Sequence, residues 1–248
     1  MWSKFKIWNL GLLALIITGC ADRLLMGDTN LRRYPTCVYS DVKLGPYAKA
    51  WFIKHPEARG TAILLPGYKT NKGYLLEFID LWTSNKFNVL LLDYRGFGDA
   101  AGTVDFRGIV EDVHLAVVFA QSQHPRVILH GFSLGTMVEA KVASEVDVSG
   151  CIFDGVASPN ALGLTGLVLP KDMRTRQTIL KIKEPKLFIH SIDDDVTVYS
   201  EAEYIYNRAT EPKSMWTTSG PHILSYKYDP QGYQRVVSGW LSQNSLEN

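Results

Sequence analysis

Short apolar runs alternating with longer stretches of helical periodicity constrain this chain more than anything else in it. Ala48–Ile53, Thr61–Leu65, Val89–Asp93, Val127–His130, Cys151–Phe153 and Leu187–His190 read as strands, mostly buried on both faces, and Met215–Thr217 is a weaker candidate for a last strand. Between them lie helical patterns over Tyr74–Asn85, Leu134–Glu145, Ser200–Arg208 and Tyr233–Leu241. Ile109, Val113, Ala116, Val117 and Ala120 form a further apolar stripe at helical spacing. Parallel neighbours need a crossover, and a helix supplies it. The expected fold is therefore α/β: a mostly parallel central sheet flanked by helices on both faces. Such sheets carry their chemistry just beyond the carboxyl ends of the strands. With 248 residues the chain is long enough for one substantial core.

Gly131-Phe132-Ser133-Leu134-Gly135 falls directly after the strand Val127–His130 and directly before a helix. A turn this sharp lifts a serine hydroxyl clear of the sheet. Glycines two residues to either side let strand and helix approach without Cβ clashes. The helix start adds positive partial charge and the N–H of Leu134. The segment resembles the nucleophile elbow of the α/β-hydrolase superfamily, with Ser133 as nucleophile.

A serine hydroxyl needs a base to take its proton and an acid to orient that base. The resemblance implies the order serine, acid, histidine. His55 and His114 precede the elbow, and His124 sits in a surface-like turn. His130 reads as a packed shoulder of the site and His190 as structural. His222, in Ser219-Gly220-Pro221-His222, stands where the superfamily carries its catalytic histidine. The segment His190-Ser191-Ile192-Asp193-Asp194-Asp195-Val196 resembles the one carrying the acid, and its register favours Asp194. Asp193 remains open because its chemistry is the same, and Asp154 is a minor candidate.

Negative charge developing on a substrate carbonyl needs preset N–H donors. Leu134 offers one. Pro66-Gly67-Tyr68 resembles the second oxyanion segment of the superfamily, with Pro66 where a histidine is usual, and implies the N–H of Tyr68 as the other. Asp93-Tyr94-Arg95-Gly96-Phe97-Gly98 also resembles a loop common in the superfamily and reads as scaffold. The resemblance spans about Ala48 to Leu241. It implies a serine hydrolase, carboxylesterase-like, that needs no metal and no cofactor. A thioesterase, a serine peptidase and a non-catalytic binding lipoprotein are the alternatives.

The first residues look unlike the rest. Lys4 and Lys6 precede an apolar run from Leu10 to Ile17, too short for a comfortable membrane span. Ile17-Thr18-Gly19-Cys20 resembles a bacterial lipobox, so residues 1–19 read as a lipoprotein signal peptide and Cys20 as the lipidated residue. The expectation is an exported protein anchored to a bacterial membrane, with Ala21 favouring the outer membrane if the organism has one. Residues 20–46 read as a tether and lead-in, 47–248 as the hydrolase domain, and 159–185 as a small cap insert. A formal charge of +1 gives no reason to expect nucleic acid; the partners expected are an acyl substrate and the membrane. Export permits a disulfide between Cys37 and Cys151, but Cys151 opens an apolar run and reads as a buried free thiol.

Overall fold

A computed structural model describes residues 28–159 and 174–246. Eight strands form one sheet: β1 (Ser40–Leu44), β2 (Ala48–Ile53), β3 (Gly60–Leu65), β4 (Phe87–Asp93), β5 (Val127–Phe132), β6 (Gly150–Asp154), β7 (Lys186–Ser191) and β8 (Lys213–Thr218). Their spatial order is β1-β2-β4-β3-β5-β6-β7-β8. β2 runs antiparallel to both its neighbours, β1 and β4; from β4 to β8 every neighbouring pair is parallel. The chain winds one way from β3 to β4 and the other way from β5 onward. The strand order therefore reverses beside β3, and the crevice above β3 and β5 is where such sheets bind ligands.

Period-two alternation makes two cores from single strands. In β4, Leu90 and Leu92 join one apolar cluster while Val89 and Leu91 join the other. β3 divides in the same way, with Ile63 and Leu65 on one face and Ala62 and Leu64 on the opposite one. Helices α2 (Phe106–Gln123), α3 (Leu134–Ala143) and α5 (Tyr199–Arg208) cover the first cluster. The short α1 (Ile79–Ser84) and the terminal α7 (Pro230–Gln243), which follows the single turn α6 (Ser225–Tyr228), cover the second. α2 buries the expected stripe of Ile109, Val113, Ala116, Val117 and Ala120 and is capped by Asp105, whose side chain accepts the Gly108 N–H at 2.8 Å.

Four segments differ from the sequence reading. The helix expected over Tyr74–Asn85 is two 3-10 turns, Lys72–Tyr74 and Leu76–Phe78, followed by α1. α7 begins at Pro230, three residues earlier than its apolar stripe, because Asp229 caps it and proline suits its first turn. The lead-in contributes β1, a five-residue edge strand too short and polar to show in the pattern. Upstream of β1, Tyr34 and Tyr39 pack on Trp51, with ring centroids 5.4 and 5.5 Å away. Within the expected cap, α4 (Thr175–Thr178) and the turn Ile179–Lys181 pack inward, with Ile179 and Ile182 fully buried in the first cluster. That half therefore covers the sheet, since its apolar residues face the core; residues 160–173, the leader and Cys20 lie outside the described residues. Cys37 and Cys151 are both free, the first exposed and the second buried in β6.

Candidate active site

The chain passes from β5 into α3 through the single residue Ser133. Its backbone takes φ 51° and ψ −113°, which a residue with a Cβ rarely adopts. Roughly 1–3 kcal/mol of strain accompanies such a conformation, and its neighbours enforce it. A Cβ on Gly135 would collide with the Leu65 carbonyl oxygen of β3, and one on Gly131 would stand 2.8 Å from the Gly135 carbonyl oxygen. The Ser133 N–H donates to the Asp154 carbonyl at 2.9 Å. The Ser133 carbonyl accepts the Thr136 N–H and hydroxyl, at 2.9 and 2.6 Å.

The loop after β3 lies against this turn. A Cβ on Gly67 would be 3.1 Å from the Phe132 carbonyl oxygen and 3.3 Å from Ser133 Cβ. Tyr94 donates its hydroxyl to the Pro66 carbonyl at 3.2 Å, and Thr70 donates to that of Gly67 at 2.8 Å. Tyr68 thus follows the residue that packs on Ser133, and Leu134 follows Ser133 itself at the start of α3. Just behind the loop, buried Lys72 binds the Asp93 carboxylate through its backbone N–H and its ammonium, both at 2.7 Å.

The three consecutive aspartates have three different environments. Asp194 is buried and its Oδ2 accepts the His222 Nδ1–H at 2.6 Å. Its Oδ1 accepts the N–H groups of Val196 and Thr197, at 2.9 and 2.8 Å, and the Thr197 hydroxyl donates to Oδ2 at 3.0 Å. Burial pushes this carboxyl upward, but the His222 and backbone hydrogen bonds outweigh it and hold it at about 2. An ionised Asp194 fixes the His222 proton on Nδ1, so Nε2 carries the lone pair. That Nε2 is buried and has no hydrogen-bond partner among the described residues. Asp193, exposed, accepts the Gly220 N–H at 3.0 Å, and the Ser191 hydroxyl donates to the Gly220 carbonyl at 2.5 Å. Both brace the His222 loop. Asp195 is exposed.

His222 and Ser133 meet one segment from two sides. Asp154 receives the Ser133 N–H, and a Cβ on the next residue, Gly155, would be 2.9 Å from His222 Cε1. The Asp154 side chain turns away into a buried relay. Trp82 Nε1–H donates to His130 Nδ1 at 3.3 Å, which leaves His130 Nε2–H to donate to the Tyr233 oxygen at 3.0 Å. Tyr233 in turn donates to Asp154 Oδ2 at 2.8 Å. Burial lowers His130 to about 3, and burial raises Asp154 to about 7 against the Tyr233 hydrogen bond. Asp154 is thus engaged beneath the site, and His130 is neutral. His190, also buried, donates through Nε2 to the Thr197 carbonyl at 2.6 Å and so steadies the loop that carries Asp194.

The sequence reading missed Thr197, Tyr233 and Glu139. Thr197 had a signal: an aspartate followed two and three residues later by donors is a local Asx-type turn. Tyr233 had none, because its partners lie 79 and 103 residues away. Glu139, one turn into α3, accepts the Gly131 N–H at 3.0 Å, and full burial raises its carboxyl well above the ordinary range. Among the described residues no cluster of three or more His, Cys, Asp or Glu could hold a metal, and no helix is long and apolar enough to cross a membrane.

Residues 56–162 match the sequence profile of the family described as serine aminopeptidase, S33. Over 250 residues the chain is 28% identical to the α/β-hydrolase domain-containing protein WAV2 of Arabidopsis thaliana, covering 85% of this chain and 80% of that one. It is 27% identical over 230 residues to the uncharacterized protein YfhR of Escherichia coli O157:H7, covering 82% and 80%. Among solved structures, an esterase of Pyrococcus furiosus superposes with a TM-score of 0.74 at 21% identity, over 88% of this chain and 98% of that one. A monoacylglycerol lipase of Paleococcus ferrophilus superposes at 0.66 and 15% identity, over 84% and 100%.

Proposed function

We propose that this chain, a hydrolase of the α/β-hydrolase superfamily by its fold and its relatives, cleaves carboxylic esters or related acyl bonds through an acyl-enzyme on Ser133. The observation that carries the reading is the 2.6 Å bond from His222 Nδ1 to a buried Asp194, against the segment that also holds the Ser133 N–H. His222 Nε2 takes the Ser133 proton as Oγ attacks the substrate carbonyl. Asp194 stabilises the imidazolium that results. The tetrahedral oxyanion is held by the N–H groups of Leu134 and Tyr68, the first strengthened by the positive end of α3. Collapse expels the leaving group, which receives the proton from His222. Water, deprotonated by the same nitrogen, then attacks the acyl-enzyme and frees Ser133. Nothing in these steps calls for a metal or an organic cofactor.

The protein is exported and held at a bacterial membrane by acyl chains on Cys20. Support comes from the lipobox-like Ile17-Thr18-Gly19-Cys20 after a short apolar run, and two or three chains suffice for firm anchoring. Turnover of p-nitrophenyl esters of increasing chain length, beside an aminoacyl p-nitroanilide, tests the substrate class. Ester cleavage lost in Ser133→Ala is the expected result. Cleavage of the anilide alone would move the assignment to a peptidase.

A further inference from the structure

The chain enters the domain on the same side as the candidate active site. Asp28 is pinned there by four hydrogen bonds to the loops, with a fifth, local one from Asn30. Its N–H donates to the Thr70 carbonyl at 3.2 Å, and its carbonyl accepts the Gly98 N–H and the Asn71 amide, both at 3.0 Å. Its carboxylate accepts the Tyr74 hydroxyl at 3.0 Å and the Asn30 N–H at 2.8 Å. Thr70–Tyr74 and Gly98 belong to the loops that follow β3 and β4, at the carboxyl edge of the sheet. β5, which ends just before Ser133, is β3's other neighbour, so Ser133 stands roughly 10 Å across the sheet from the end of β4.

Asp28 is eight residues from Cys20, and eight residues fully extended reach at most ~29 Å. A globule of ~220 residues is about 44 Å across. A lipid on Cys20 therefore cannot reach around to the far pole of the domain. The carboxyl edge of the sheet has to face the bilayer or lie beside it.

The surface held there exposes large apolar and aromatic side chains between the charged Lys69, Asp193, Asp195 and Lys227. Tyr68 flanks Ser133 and is 39% exposed; Ile192, Val196 and Val198 flank Asp194 and are each more than half exposed. Tyr228, 65% exposed, packs beside Gly220 in the His222 loop. Five large exposed side chains thus form a rim on the three loops that carry Tyr68, Asp194 and His222.

We infer that this rim is a membrane-facing surface and that the site draws its acyl substrate from the bilayer, a long-chain ester lipid rather than a soluble ester. The inference rests on the lipidation of Cys20 and on the Ser133 site proposed above. The opposite pole provides the control. Trp240 lies against Gly150, the first residue of β6, and Ser238 donates to Asn85, two residues before β4, at 2.8 Å. α7 therefore ends at the amino edge, and a tether attached after it turns the site away from the membrane.

The test uses the chain from Ala21 to Asn248, carrying a hexahistidine tag at either end and bound to phosphatidylcholine vesicles containing nickel-chelating lipid and a fluorogenic long-chain glycerol ester. The natural full chain, reconstituted in the same vesicles, is the reference. The N-terminally tethered form is expected to cleave the vesicle ester at least tenfold faster than the C-terminally tethered form, with equal turnover of soluble p-nitrophenyl butyrate. Equal vesicle rates at equal soluble rates would overturn the inference. Mass spectrometry of the natural N-terminal peptide reports separately on the anchor, and loss of all turnover in Ser133→Ala reports separately on the site.

Discussion

The Asp194 carboxylate is divided between two tasks: Oδ2 takes the His222 Nδ1–H at 2.6 Å, while Oδ1 is occupied by the N–H groups of Val196 and Thr197. One oxygen orients the His222 ring and the other fixes the carboxylate itself. Asp194→Asn keeps the shape but allows the wrong histidine tautomer, so kcat on p-nitrophenyl esters is expected to fall by ~10^3–10^4. Asp193→Ala removes one exposed acceptor of the Gly220 N–H from the His222 loop, worth about 1 kcal/mol, and should cost roughly fivefold. The reverse ranking would shift the acid to Asp193.

His130 and Asp154 pull the pH dependence of stability in opposite directions. His130 falls from 6.5 to about 3 on folding, so its contribution is present above 6.5 and lost as pH drops through about 3. Asp154 rises from 3.8 to about 7, so its contribution is present below 3.8 and lost as pH climbs through about 7. Between about pH 4 and 6.5 the two slopes cancel. Asp154→Asn, which keeps an oxygen for Tyr233, unmasks the histidine. Its unfolding free energy should fall relative to the wild type by about 1.4 kcal/mol per pH unit from 6.5 to 4. Urea titrations across that range check it, and parallel curves for the two proteins would contradict it.

Tyr233 joins those two groups with one hydroxyl. Tyr233→Phe leaves a buried imidazole N–H and a buried carboxyl without their partner, and about 2–4 kcal/mol of destabilisation is expected. The urea midpoint reads this directly. An unchanged midpoint would mean that the relay adds nothing to the fold beneath Ser133.

Two glycines make a matched pair. Gly135→Ala drives a methyl group into the Leu65 carbonyl and to 3.0 Å from that of Pro66, both backbone atoms that cannot swing aside. Ester turnover should drop by more than ~100-fold, the scale at which a misplaced constellation loses rate. Gly239→Ala, within α7, meets nothing inside 4 Å and should stabilise by roughly 0.5–1 kcal/mol. Equal thermal and kinetic effects from both would show that close packing at the elbow is unimportant.

What the sequence made legible follows from the range of each signal. The sheet could be read because strands buried on both faces are short apolar runs, and the elbow because its glycines and serine are local. β1 escaped because an edge strand has little to bury, and its pairing is set by β2. Asp194 could be ranked above Asp193 only by register, since the distinction lies in which carboxyl reaches His222, 28 residues on. The relay under the site was invisible because Trp82, His130, Asp154 and Tyr233 converge from α1, β5, β6 and α7. Glu139, buried in α3, sits in sequence like any solvated helical glutamate.

The central claim is that Ser133 is an activated nucleophile, and fluorophosphonate labelling tests it most directly. The wild-type chain should take up one phosphonyl group, mapped by peptide mass spectrometry to Ser133, with no uptake in Ser133→Ala and sharply slowed uptake in His222→Ala. A folded wild-type protein that does not label, or labels elsewhere, would contradict the account.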